Sequence, residues 1–133
     1  MKILLIDSPY AIFTGFDSRY FPVGLSYIGS ILRGNGYDVV IYDVDKERGD
    51  TGGINFSDEY QKLENYRREL NSNNHFIWKK VAKVVEDYDP DFIGITSMTM
   101  KFGSVVKIAE ICKMVKPDTI IIVGGPHATN WME

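Results

Sequence analysis

The chain holds one cysteine, Cys112, in 133 residues. That excludes an internal disulfide and any cysteine-built zinc or iron–sulfur site within it. Cys112 stands among Ile108, Ile111 and Val115 at helical spacing, so it reads as a buried structural thiol. No apolar run approaches the roughly 20 residues that a bilayer span demands. The start lacks a signal-peptide pattern, because Lys2 leads straight into Ile3-Leu4-Leu5-Ile6, and the expected compartment is the cytoplasm. Excess positive charge is missing too. With a net charge of -3 and its Lys and Arg scattered, the chain gives no electrostatic reason to expect nucleic acid. Internal repeats and low-complexity stretches are also absent.

What the chain does have is three apolar runs that end on small or hydroxyl-bearing residues. Ile3–Ile6 precedes Asp7-Ser8-Pro9, Phe92–Ile95 precedes Thr96-Ser97-Met98, and Ile120–Val123 precedes Gly124-Gly125-Pro126-His127. Runs without alternation, separated by helical stretches, are the pattern of a parallel sheet buried on both faces. In such sheets the ligand crevice lies beyond the carboxyl ends of the strands, where strand order reverses.

The expected elements follow in order. Strand one is Lys2–Asp7, followed by a long aromatic loop from Ser8 to Phe21 that includes Tyr10, Phe13, Phe16, Asp17 and Tyr20. Pro22 opens a helix with Leu25, Ile28, Ile31 and Leu32 facing inward, and Gly34-Asn35-Gly36 stops it. Strand two is Asp38–Asp43, and Lys46–Phe56 is a surface loop. A helix over Ser57–Leu70, capped by Ser57 or Asp58, carries Tyr60, Leu63, Tyr66 and Leu70 on one face. A second helix spans His75–Tyr88, with no role assigned to His75. Strand three is Phe92–Thr96, Met98–Phe102 is a loop, Gly103–Lys116 is a helix, and strand four is Thr119–Gly124.

Right-handed crossovers turn this order into a three-layer, flavodoxin-like (Rossmann-like) α/β sandwich with strand order 2-1-3-4. The switch point falls between strands one and three. Dinucleotide binding is disfavoured, because the first turn reads Asp7-Ser8-Pro9-Tyr10 rather than Gly-x-Gly-x-x-Gly. A receiver domain would need Asp where Thr96 stands, and a flavodoxin would need a phosphate loop where Pro9–Phe13 stands.

Several segments together resemble the amino-terminal cobalamin-binding domain of radical S-adenosylmethionine enzymes. That group includes anaerobic magnesium-protoporphyrin ester cyclase-like proteins and cobalamin-dependent methyltransferases. The resemblance rests on Phe21–Ile28, Gly34–Val39, Asp89–Ser97 and, most specifically, Gly124-Gly125-Pro126-His127-Ala128-Thr129. The family's Ser-x-Leu element is matched by Thr96-Ser97-Met98 and its Gly-Gly element by Gly124-Gly125. Its Asp-x-His-x-x-Gly element is absent, since Pro9 stands where the cobalt-ligating histidine would be.

The resemblance implies a cobalamin site built from Ser8, Pro9 and Tyr10, from Thr96, Ser97, Met98 and Thr99, and from Gly124, Gly125, Pro126 and His127. It implies no catalytic or metal-ligating residue in this chain, and no imidazole beneath cobalt from the first loop. Residues 1–133 then form one domain at the front of a longer chain, cut before a fifth strand. A radical S-adenosylmethionine domain is expected downstream, with its iron–sulfur cluster and S-adenosylmethionine.

Plainer readings stand beside these. Gly124-Gly125 also suits a strand-ending turn, Ser97 and Thr99 suit helix caps, and His127 suits an exposed loop histidine. Tyr10, Phe13 and Tyr20 fit either a cofactor or a following domain. A cofactor-free docking domain is the alternative function. Finally, Thr119–Val123 reads as an exposed, apolar edge prone to self-association.

Overall fold

A computed structural model describes residues 1–15, 21–47 and 58–130. Four parallel strands, β1 (Lys2–Asp7), β2 (Asp38–Asp43), β3 (Phe92–Thr96) and β4 (Ile120–Gly124), form one sheet in the order β2-β1-β3-β4. The architecture is the expected flavodoxin-like α/β fold. Register sets the functional end: Asp7 aligns with Asp43 on one side and Thr96 on the other, and Thr96 aligns with Gly124. The four strands therefore finish in one row.

Period-two alternation divides the sheet's side chains between two faces. Leu4, Ile6, Ile93 and Ile95 point to the larger core, where α4 (Phe76–Tyr88) supplies Ile77, Val81 and Val85. There α5 (Phe102–Val115) adds Val105, Ile108, Ile111 and Cys112. Cys112 is wholly buried, as its spacing implies, and burial pushes its thiol up to about 12.

The opposite face holds Ile3, Leu5 and Val39 under α2 (Val23–Gly34). That helix packs mainly over β1 and β2. Its inward positions are Leu25, Gly29 and Leu32, whereas Ile28 and Ile31, expected inside, are half exposed. The reason is coverage: among the described residues α2 is the one helix on this face, and its flanks are left without a neighbour. Gly29 permits the close approach, since a Cβ there would lie 3.0 Å from Ile41 Cδ1.

The first loop is more structured than expected. Ala11–Thr14 forms a short α1, and Phe13 is 1% exposed. Its ring lies 4.9 Å from His75 and 5.3 Å from Trp78, so Phe13 is a core residue and not surface for a cofactor or a following domain. Phe16, Asp17 and Tyr20 lie outside the described residues. His75 acquires a role, because its Nδ1 accepts from the Ile77 amide and caps α4.

The helix expected over 57–70 is α3 (Glu59–Asn71), capped by the Asp58 carboxylate at the Tyr60 amide; Ser57 lies outside the described residues. Its inner face is Asn65 and Tyr66, with Tyr60 and Leu63 exposed. This polar helix packs mainly on α1 and the start of α5. The loop expected to begin at Lys46 opens inside a 3-10 turn, Val44–Glu47. Met98–Phe102 likewise contains a 3-10 turn, Thr99–Lys101, and α5 begins one residue early at Phe102. A final helix, α6, covers Pro126–Asn130. Among the described residues, no helix is long and apolar enough to cross a membrane.

Removing a fully buried aromatic costs about 3–5 kcal/mol. Phe13→Ala should therefore lower the urea midpoint sharply, and a midpoint equal to wild type would refute the core placement.

Candidate functional site

Two acidic strand ends lie side by side because the register aligns Asp7 with Asp43. Asp45 joins them from the 3-10 turn after β2. Three carboxylates so close require a cation, and Lys101 supplies it from the turn after β3. Its Nζ lies 2.9 Å from Asp7 Oδ1 and 3.7 Å from Asp45 Oδ2, with the lysine 8% exposed.

The Asp45 carboxylate also accepts from the amides of Tyr10 (3.0 Å) and Ile12 (3.0 Å), which holds the start of α1. Thus the loops after β1, β2 and β3 meet on one ammonium. Asp43 is left with the weaker share, facing Lys46 at 3.9 Å. Burial first, then Asp7 and Asp45, raises its carboxyl above the usual range, partly offset by Lys46 and Lys101.

Beside this cluster the ends of β3 and β4 lock together. The Ser97 amide donates to the Gly124 carbonyl at 2.7 Å, and the His127 amide donates to the Ser97 carbonyl at 3.1 Å. Gly125, at φ 104, lies so close that a Cβ would meet Ser97 O at 2.8 Å and Thr96 Oγ1 at 3.1 Å. Only glycine fits that contact. Gly124 differs: a Cβ there would have nothing within 4 Å.

That open space belongs to a groove of about 360 Å³ running between α2 and the bare face of β3 and β4. Its upper end is formed by Thr96, Gly124 and Gly125, and its floor by Leu5, Gly94 and Ile122. The Ser97 hydroxyl is fully buried yet has no hydrogen-bond partner among the described residues, and the same holds for Ser8.

The structure thus brings together Thr96, Ser97, Thr99, Gly124, Gly125 and His127. Thr99 Oγ1 lies 3.2 Å from His127 Nδ1, and the His127 ring packs 4.4 Å from Phe102. Neither Ser97 nor Thr99 makes a side-chain cap on the following helix. His127 lies within α6 rather than in a loop, one residue after Pro126. Met98 is half-buried at the head of the 3-10 turn.

Residues after β1 lie deeper. Ser8 and Pro9 are buried, and the Pro9 carbonyl accepts from Ser104 Oγ at 2.6 Å. Tyr10 packs edge-on against Tyr66, with centroids 5.1 Å apart. Sequence reasoning missed Asp7, Asp45, Lys101 and Ser104. For the first three a signal exists: adjacent parallel strands that both end in Asp demand a nearby cation, and Lys101 follows the next strand in the sheet.

The donor set and space fit a ligand with an apolar slab or tail and a few hydrogen-bonding groups. Comparison with known proteins gives the class. The B12 binding domain family matches residues 11–133, and the chain belongs to it. It is 30% identical over 131 residues to an uncharacterized methyltransferase of Pyrococcus horikoshii, covering 97% of this chain. It is 28% identical over 134 residues to cytidylyl-2-hydroxyethylphosphonate methyltransferase of Streptomyces wedmorensis, covering 96% of this chain. The chain spans 22% of the length of each of these relatives. No solved structure gives a significant match.

Breaking a buried ion pair by removing one partner costs about 3–5 kcal/mol. Lys101→Met, which leaves Asp7 and Asp45 uncompensated, should show a loss of that size in chemical denaturation; an unchanged midpoint would contradict the clamp.

Asp43 works in the opposite direction. Its raised carboxyl pKa means that ionisation costs the folded state stability as pH rises through the carboxylate range. Asp43→Asn should therefore melt higher than wild type at neutral pH, with the difference vanishing once the pH is low enough to protonate Asp43 in both states. A lower melting temperature at neutral pH would reverse the sign and reject the reading.

Proposed function

We propose that this domain holds cobalamin at the carboxyl ends of β3 and β4, without a histidine from the first loop beneath the cobalt. The observation carrying this is the open space at Gly124, at the end of an apolar groove that Thr96 and Gly125 also line, next to a buried Ser97 hydroxyl with no hydrogen-bond partner among the described residues. Thr96 and Ser97 offer hydroxyls to polar groups of the cofactor, Gly124 gives the clearance its nucleotide tail needs, and Gly125 lets the ends of β3 and β4 close together beside it. Tyr10, Met98, Thr99, Pro126 and His127 form the surrounding rim, with Ser8 and Pro9 beneath. Bound cobalamin supplies the chemistry at its cobalt; the chain binds and orients it.

The absence of a lower imidazole is supported by Pro9, whose buried position and Ser104 contact leave no ligating side chain there. The wider reading is that the longer parent is a methyltransferase, which the printed names of both relatives favour. It carries a radical S-adenosylmethionine domain with an iron–sulfur cluster, and this domain is that domain's partner. The sequence resemblance also keeps a tetrapyrrole cyclase-like reaction in view. A cofactor-free docking domain is the second reading, favoured by the missing histidine and the burial of Ser8 and Pro9.

Hydroxocobalamin added to the purified chain should stay with it through gel filtration and be visible in its absorption spectrum. Gly124→Leu, whose Cβ would enter open space and whose side chain would occupy the groove, should melt as wild type does and lose the colour. A folded wild-type chain that emerges colourless would reject cobalamin binding in favour of the docking reading.

A further inference from the structure

We propose that Asp45 is a positioning residue for cobalamin: its carboxylate sets the loop after β1 in its binding shape before the cofactor arrives. The inference rests on the reading that Ser8, Pro9 and Tyr10 border the cofactor. The helix in that loop, α1, has four residues, too few to persist on its own backbone bonds. Its N-cap residue, Tyr10, makes no side-chain cap. Asp45 supplies the cap from a turn 35 residues further on, accepting from the Tyr10 and Ile12 amides at 3.0 Å each. A carboxylate is also the charge that the start of a helix favours.

Other elements grip the loop on either side of this point. Ser104 Oγ donates to the Pro9 carbonyl, and Asn65 Nδ2 donates to the Phe13 carbonyl. Phe13 itself is sealed against His75 and Trp78. Between these anchors lie Tyr10 and Ile12, both half-buried, and their backbone is tied to the rest of the molecule through Asp45.

The consequence for binding is thermodynamic. A loop already fixed in the free chain loses its conformational freedom on folding, so the cofactor meets none of that cost. Without the carboxylate, Tyr10–Ile12 samples open shapes. The cofactor then selects the closed fraction, and its apparent affinity falls in proportion to that fraction. The fold tolerates the change: Lys101 keeps Asp7 at 2.9 Å, and Asp43 is relieved of one like charge.

In the wild-type chain, hydrogen exchange should be slow at the Tyr10 and Ile12 amides without cofactor and unaltered by saturating hydroxocobalamin. In Asp45→Ala both amides should exchange faster, and hydroxocobalamin should slow them again. The Ile120 amide, bonded to the Asp91 carbonyl at the far end of the sheet, should not respond in any sample. The dissociation constant from an absorption titration should rise about tenfold in Asp45→Ala, as a closed fraction of about one tenth dictates. Asp45→Asn, which keeps an acceptor oxygen without the charge, should fall between the two.

Equal dissociation constants in wild type and Asp45→Ala overturn the proposal and leave cobalamin binding standing. So do wild-type amides that slow only once hydroxocobalamin is added. A weaker Asp45→Ala whose two amides exchange as in wild type also overturns it, assigning the loss to charge rather than position. A folded wild type that retains no hydroxocobalamin rejects the cobalamin reading, and this proposal with it. If Asp45→Ala does not fold, the wild-type exchange decides alone.

Discussion

One buried ammonium organises the functional end of this domain. Parallel pairing places Asp7 and Asp43 in register, and the turn after β2 adds Asp45. Left alone, that concentration of negative charge would push the strand ends apart, since like charges in a poorly solvated site repel strongly. Lys101 reverses the sign of the interaction and, because it comes from the far side of β1, draws three loops to one point. The loops after β1, β2 and β3 are held by that contact, while Ser97, Gly124 and Gly125 tie the ends of β3 and β4 independently. The 3-10 turn that carries Lys101 leads directly into α5, whose first turn holds Ser104 against the Pro9 carbonyl.

Sheet order, helix alternation and the main core were legible because they depend on local regularities. Unbroken apolar runs mark strands covered on both sides, and Val81, Val85, Ile108 and Cys112 recur at helical spacing. Of the glycine pair at the end of β4, only Gly125 makes a backbone approach that a side chain would block, against Ser97, whereas Gly124 faces open space.

What escaped depends on distance in space rather than along the chain. Nothing near Phe13 in sequence announces Trp78 and His75 as its neighbours, and a loop rich in aromatics looks equally like surface and core. Ile28 and Ile31 follow a perfect inward stripe, yet a stripe describes what a helix can bury, not how much sheet lies beneath it. Nothing around Lys101 in the sequence singles it out, because its partner Asp7 lies 94 residues away and is brought to it by the pairing of β1 with β3.

The burial of Cys112 has a bearing on metal chemistry. A thiol held near a pKa of 12 and sealed between α5 and the sheet offers essentially no thiolate at neutral pH. Sulfur in its anionic form is a strong soft ligand and a reductant for a corrinoid metal centre. The 133 residues therefore offer no available thiolate of their own, and any thiolate that meets a bound corrinoid must arrive from another polypeptide or from solution.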